Sequence, residues 1–338
     1  MKKYWEFIKE NKLSPIDLGR VKELCEEYEL QNYTINPDGT VDINGDVDIR
    51  DQDINEYIPI KFGTVTGNFD CSHNQLKSLK NCPVEVKGSF YCSWNAMTDL
   101  QGSPKRVGNH FCCDQNEYLE SLYGCPTDIY GDFDCEECNL STLETGPRSV
   151  KGSYTCNNNF IYSLKGAPNE VGGDFNCSNN DLADLEFSPE RVGGDFICYG
   201  NEGLTTLEGS PKSVGKDFNC GTTEVSSFEF GPERVGGDFN VGVTKIRTFD
   251  GFPDYFGEKA TVELNGTPLY DLMQYFGTHY VEGWVIQLMK DDLPIDHNTM
   301  EISYTMMEEV WDQMEEKQGH IRRYKYDDIE FKYYKLVY

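Results

Sequence analysis

The sequence has no long hydrophobic run. None of its 338 residues lies in an apolar stretch approaching the roughly 18 residues that a membrane-spanning helix needs. The first residues, MKKYWEFIKENKLSPID, contain two adjacent lysines but no apolar core, so no signal peptide is predicted. These two absences predict a cytoplasmic protein without a membrane partner.

Positive charge is also scarce. Lys and Arg number 30 against 58 Asp and Glu, which gives a formal net charge of −28 at pH 7. Binding to phosphate groups needs clustered cations, so direct binding to nucleic acid or to an anionic membrane is not expected. A cationic partner fits this charge better.

Histidine is rare, and no motif for catalysis is present. The five histidines lie outside recognised nucleophile or metal motifs: His73, His110, His279, His297 and His320. The phrases GGDF and VGKDF lack the Lys-Ser/Thr pair and the following helix of a phosphate-binding loop. We therefore predict a non-enzymatic protein, with no catalytic residue, metal site or cofactor, and no small-molecule ligand is expected.

Cysteine, glycine and aromatic residues are abundant instead. The chain has 13 Cys, 32 Gly, 21 Tyr and 19 Phe, a composition that favours short strands and turns over a large helical core. The cysteine count is odd, no export signal is predicted and the cysteines follow a period. This combination indicates reduced thiols in a structural core rather than a disulfide framework.

A repeat of 21 or 22 residues dominates the sequence. One ladder is aromatic: Phe69, Phe90, Phe111, Phe133, Tyr154, Phe175, Phe196, Phe218 and Phe239. A second lies two residues later: Cys71, Cys92, Cys113, Cys135, Cys156, Cys177, Cys198, Cys220 and Val241. An aliphatic ladder, from Leu76 to Ile246, and a proline ladder, from Pro83 to Pro253, share the period. A fixed period of this size predicts a solenoid of stacked coils.

Each Phe-x-Cys phrase predicts a short strand whose Phe and Cys both point inward. Stacked coils then place these strands in parallel about 4.8 Å apart, around a shared apolar core. The valine ladder from Val86 to Val235 supplies one more inward position in each coil.

The repeat resembles the leucine-rich repeat. In the second copy Phe90, Cys92, Asn95 and Met97 fall on the last part of its consensus, L-x-L-x-x-N-x-L. The short period and regular proline are most similar to the bacterial-effector subclass, which has an extended convex side in place of helices. The inward asparagine is replaced in three copies, by Cys138, Thr223 and Thr244.

The whole chain is similar to uncharacterised proteins of large tailed bacteriophages. Those proteins open with text like NYTINPDGTVDINGDVDI and continue with repeats like GDFYCSNNKLTSLEG. The resemblance implies a leucine-rich-repeat-like fold and a phage origin, and hence the cytoplasm of a host cell. It implies no activity.

Three regions are predicted. Residues 1–45 form an N-terminal cap of two helices, KYWEFIKEN and IDLGRVKELCEEYEL, followed by a β-hairpin. Residues 46–252 form the mainly β solenoid with its parallel sheet. Residues 253–338 form a C-terminal α/β cap or small domain, with helices in TPLYDLMQYF, YVEGWVIQLMK and MEISYTMMEEVWDQMEEKQ. The last segment, HIRRYKYDDIEFKYYKLVY, is predicted to form terminal strands or one strand plus a tail.

The candidate partner-binding residues face outward beside the inward Phe and Cys. They are Asp132, Asp134, Glu136, Asp174, Asn176, Asp195, Ile197, Tyr199, Asp217, Asn219, Asp238 and Asn240. One interpretation is that Asp at strand entry caps local backbone amides and that solvent screens its charge. The other is that this concave acidic stripe docks a basic protein, with electrostatic steering of association.

Three functional hypotheses remain open at this point. The first is a protein-interaction module that binds a basic host protein, in the service of host takeover. The second is an acidic mimic of nucleic acid that inhibits a host defence or DNA-binding protein. The third is a structural or assembly component of a phage particle.

Overall fold

The chain winds into a stack of coils with one parallel β-sheet on each of two sides. This computed structural model describes residues 17–257, 259–276, 280–292, 295 and 299–337. The predicted first helix, KYWEFIKEN, lies outside the described residues. Each sheet has twelve strands, and neighbouring strands come from successive coils. The predicted parallel β-solenoid is confirmed.

We call the first sheet the Val sheet, after the buried residue of most of its strands. Its strands are Tyr33–Ile35, Val41–Ile43, Phe62–Val65, Glu85–Val86, Arg106–Val107, Asp128–Ile129, Ser149–Val150, Glu170–Val171, Arg191–Val192, Ser213–Val214, Arg234–Val235 and Tyr255–Phe256. The first two strands form the predicted hairpin, so the N-terminal cap joins this sheet directly. The valine ladder thus makes a full sheet, where the sequence indicated only one more inward position.

We call the second sheet the Phe sheet. Its strands are Val47–Asp48, Phe69–Asp70, Phe90–Tyr91, Phe111–Cys112, Phe133–Asp134, Tyr154–Thr155, Phe175–Asn176, Phe196–Ile197, Phe218–Asn219, Phe239–Asn240, Thr261–Glu263 and Tyr280–Glu282. The strands are in register, with Phe175 opposite Phe196 and Asn176 opposite Ile197. The last strand is antiparallel and closes the sheet at the C-terminal end. A separate short pair joins Asn55–Glu56 to Gln75–Leu76.

Four α-helices lie at the two ends of the described chain. Helix α1, Leu18–Glu27, begins where the Asp17 carboxylate accepts the amides of Gly19 and Arg20. At the C-terminal end lie α2, Pro268–Met273, with a 3-10 turn at Gln274–Phe276, then α3, Gly283–Asp292, and α4, Tyr304–Gln318. No helix in the described part of the chain has the length and apolar character to cross a bilayer.

Two predictions for the C-terminal region need correction. YVEGWVIQLMK begins as the strand Tyr280–Glu282, because these residues complete the open edge of the Phe sheet. MEISYTMM likewise begins as a strand, Glu301–Ser303, which pairs with Lys335–Val337. The final segment forms this one strand and a 3-10 turn at Tyr326–Asp328, with irregular chain elsewhere. Pairing with distant strands overrides the local helical pattern here.

The core is built from the predicted ladders. Aromatic rings of successive coils in the Phe sheet lie 4.7 to 5.8 Å apart between centroids, from Phe69 to Phe239, and are fully buried. The cysteines of the second ladder are also buried, and the Cys71 and Cys92 thiols donate to a carbonyl of the next coil at 3.4 Å. Burial raises the pKa of the Cys113 and Cys198 thiols, which suppresses the reactive thiolate.

A second ladder of buried asparagines ties the coils together. The Asn180 amide nitrogen donates to the carbonyls of Cys156 and Cys177 at 3.1 Å, and its oxygen accepts the amide of Ile161 at 2.9 Å. Asn95, Asn116, Asn159 and Asn201 repeat the pattern.

The three replacements of this asparagine differ in outcome. The Cys138 thiol donates to the Cys113 carbonyl at 3.4 Å, and the Thr223 hydroxyl donates to the Cys220 carbonyl at 2.8 Å. The buried Thr244 hydroxyl has no partner among the described residues. The bonds that the asparagine makes to the backbone in other coils are therefore kept in part at two of these coils and lost at the third.

Candidate protein-binding surface

The twelve candidate residues lie on the outer side of the Phe sheet. They occupy the positions one before, one after and three after the buried aromatic of their coils, and are partly or fully exposed. They come from five coils, at residues 132–136, 174–176, 195–199, 217–219 and 238–240. In-register pairing places equivalent side chains about 4.8 Å apart along the stack.

The aspartates before the aromatic form a ladder of hydrogen bonds. The Asp174 carboxylate accepts the amide of Asp195 at 2.8 Å, and Asp195 accepts that of Asp217 at 3.0 Å. Asp217 in turn accepts from Asp238, and Asp238 from Thr261, both at 2.7 Å. Each aspartate thus caps a backbone amide of the next coil, which is the structural role that the sequence left open.

A negative charge is not required for this capping. In other coils the same position holds Asn68, whose side-chain oxygen accepts the amide of Ser89 at 2.8 Å, and Ser153, whose hydroxyl accepts that of Asp174 at 3.0 Å. A neutral acceptor therefore makes the same coil-to-coil bond. The charge of the aspartates can be removed while the bond is kept.

The residues after the aromatic use their side chains locally. The side-chain oxygens of Asp134, Asn176, Asn219 and Asn240 each accept the amide two residues later in the same coil, at 2.8 to 3.1 Å. This Asx-type turn ends the strand. It also holds these side chains in a defined direction.

Charge is distributed unevenly around the solenoid. Lysines neutralise carboxylates beside the Val sheet, where Lys212 lies 3.6 Å from Glu190. They also do so on the side of the solenoid that carries the aliphatic ladder, where Lys165 lies 2.6 Å from Glu144. Among the described residues, the middle coils of the Phe sheet have one contact of this kind from a lysine or arginine, from Lys216 to Asp174 at 3.6 Å, and His110 lies 3.0 Å from Asp132.

Three aspartates of the stripe therefore stay unneutralised. Asp195, Asp217 and Asp238 form no salt bridge within the described part of the chain. These three aspartates leave uncompensated negative charge on the outer side of the Phe sheet.

Asp134 is the most perturbed carboxyl of this surface. Burial, followed by the nearby carboxylates of Asp114, Glu136 and Asp132, raises its pKa to about 7, against the lowering effect of the Glu136 amide. Burial is the largest cause of this raised pKa, and the acidic groups on the same side of the sheet add to it. Asp134 is therefore partly protonated near neutral pH.

We predict a pH-dependent gain in stability for Asp134→Asn. The folded protein holds a proton on Asp134 that the unfolded chain releases, so stability from this group falls as pH rises from about 4 through 7. The variant avoids this loss and is expected to be more stable above pH 7 by on the order of 2 kcal/mol, allowing for partial exposure. Urea denaturation at pH 4.5 and pH 8 measures it. A gain that is equal at both pH values would contradict the assignment.

A shallow hollow of about 270 Å³ opens at the C-terminal end of the Phe sheet. Its wall includes three candidate residues, Tyr199, Asn219 and Asn240, together with Glu263. The floor lies at Gly221 and Gly242, in the row that holds Ser, Asp, Glu, Asn or Tyr in other coils. Neither glycine has a positive φ, so their effect is to leave room rather than to permit a turn.

Glu263 is a residue of this surface that the sequence interpretation missed. The copy in EKATVELNGTP has neither the Phe nor the Cys of the repeat, so the solenoid was predicted to end at residue 252. The alternation of Val262 and Leu264, both buried, with Glu263 was the available signal. The carboxylate of Glu263 accepts from the Asn240 amide at 2.8 Å and adds charge to the hollow.

The described residues contain no group of three or more His, Cys, Asp or Glu side chains arranged to hold a metal ion. A scan against protein-family models, a search of curated proteins and a search of solved structures each returned no match for this chain.

Proposed function

We propose that this protein is an interaction module that binds a basic protein surface through the outer side of its Phe sheet. The observation that carries the proposal is the row of Asp195, Asp217 and Asp238, held in place by the coil-to-coil ladder without a neutralising cation. Like charges about 4.8 Å apart repel one another. A cationic partner relieves that repulsion.

The geometry supports affinity as well as attraction. Each aspartate is already held by a backbone amide, so a partner does not have to order these side chains, and the entropic cost of binding is small. The hollow beside Tyr199 and Glu263 offers an aromatic ring and a carboxylate to one Lys or Arg side chain of the partner. Association is expected to be fast and to weaken with salt.

The similarity to phage proteins directs the proposal toward a basic host protein in the host cytoplasm. Mimicry of nucleic acid is a second candidate, because the aspartates form a regular row of negative charges about 4.8 Å apart, and a DNA strand also carries a regular row of negative phosphates. An assembly role in a phage particle is the third, and it rests on the sequence resemblance alone.

The test removes charge while keeping the hydrogen bonds. We expect the variant Asp174→Asn, Asp195→Asn, Asp217→Asn and Asp238→Asn to fold normally and to lose a basic partner that the parent protein captures from bacterial lysate at low salt. The matched control, Asp128→Asn, Glu170→Gln, Glu190→Gln and Glu233→Gln, removes the same charge from the Val sheet. It is expected to retain the partner.

Capture that is equal in the two variants would reject the Phe sheet as the binding surface. The identity of the eluted protein separates the candidates. A basic nuclease or DNA-binding protein whose DNA binding is blocked indicates mimicry, another basic host protein indicates a host-directed module, and co-purifying particle proteins indicate assembly.

A further inference from the structure

Two exposed phenylalanines lie away from the Phe sheet. Phe187 is 57% exposed and Phe230 is 65% exposed, each at the turn that leads into a Val-sheet strand. They are at equivalent positions of coils separated by one intervening coil. Since neighbouring coils are about 4.8 Å apart, the two residues stand about 10 Å apart along the stack.

The backbone at both residues adopts a conformation that suits glycine. Phe187 has φ of 68° and Phe230 has φ of 64°. At the equivalent position the other coils have positive φ too, mostly with glycine: Gly102, Gly124, Gly166, Gly209 and Gly251. A bulky residue in this region of φ is disfavoured. The rings are mostly solvated, so burial does not compensate, and this cost points to a role outside the fold.

Carboxylates flank the two rings. Glu186 precedes Phe187, Glu229 precedes Phe230, and Glu208 lies in the coil between them. The Leu185 amide donates to the Glu208 carbonyl at 2.8 Å, which joins these adjacent coils. The three glutamates are exposed and form no salt bridge among the residues that the structure describes, whereas Glu144 and Glu190 are each paired with a lysine. We call these five residues the Phe–Glu corner.

We propose that the Phe–Glu corner docks a basic amphipathic helix of a partner protein. Apolar side chains seven residues apart on one face of a helix are separated by about 10.5 Å, which matches the two rings. On an extended strand, side chains of one face recur at about 6.7 or 13 Å, which does not match. Lysines or arginines beside the apolar residues complement the three glutamates. This surface is separate from the Phe sheet.

The test uses the full-length protein and a synthetic amphipathic helix of leucine and lysine, with leucines seven residues apart. Fluorescence anisotropy measures its binding to the parent protein and to Phe187→Gly with Phe230→Gly. We expect the double variant to bind at least about tenfold more weakly. Its melting temperature is expected to be equal or higher, because glycine relieves the backbone. Phe160→Ala, which removes a ring that is 59% exposed elsewhere, is the control.

Three results would overturn the proposal. The first is undetectable binding of the peptide to the parent protein, and the second is equal affinity of the parent and the double variant for the peptide. The third is a lower melting temperature of the double variant, which would mean that the two rings stabilise the fold. A peptide of the same composition with its leucines scattered around the helix should bind like the double variant. The fourfold Asp-to-Asn variant of the Phe sheet should still bind the amphipathic peptide, which separates this proposal from the proposed function.

Discussion

Replacing Phe175 with alanine is expected to lower the free energy of unfolding by about 3–5 kcal/mol. Phe175 is fully buried, and its ring lies 5.4 Å from that of Tyr154 and 5.7 Å from that of Phe196. Truncation removes contacts with both neighbouring coils and leaves a cavity, since the stacked backbones on either side hold their spacing. Urea denaturation followed by circular dichroism measures the loss.

The matched control for this change is Tyr154→Phe. The Tyr154 hydroxyl is buried without a hydrogen-bond partner among the described residues, while most other coils have Phe at this position. Removing that hydroxyl is expected to stabilise the protein by about 1 kcal/mol. A loss below about 1 kcal/mol for Phe175→Ala would show that the stack contributes less than ordinary core packing does.

Replacing Asn180 with alanine is expected to cost about 2–4 kcal/mol of stability. Its side chain serves the buried carbonyls of Cys156 and Cys177 and the buried amide of Ile161. Alanine leaves all three without this partner in a region that water does not reach, and each orphaned group carries its own desolvation cost. The same denaturation experiment, with hydrogen exchange at the Ile161 amide, measures the effect.

Asn180→Thr provides the comparison for this second prediction. Thr223 occupies the equivalent position two coils later and keeps one bond, to the Cys220 carbonyl at 2.8 Å. The threonine variant is therefore expected to lose less stability than the alanine variant. Equal losses would mean that volume, rather than hydrogen bonding, explains the asparagine ladder.

The candidate surface was predictable in part. The alternation of inward and outward positions located the outer residues of the Phe-x-Cys strands, because two-residue periodicity follows from strand geometry alone. The sequence did not predict that Asp174 and its equivalents cap an amide of the next coil, because this bond depends on how adjacent strands align. The hollow beside Tyr199 also depends on Glu263, which belongs to a copy that lacks the Phe and Cys of the repeat.

Periodicity alone determined that the chain forms a solenoid with Phe, Cys and Leu inside, because a repeated apolar pattern can be buried only by stacking the copies. Tertiary structure decided that the valine ladder forms a second sheet, that Tyr280–Glu282 is a strand, and that Asp174 and its equivalents cap amides of the next coil. Each of these features depends on contacts between residues of different coils. The local sequence pattern does not show which residues make those contacts.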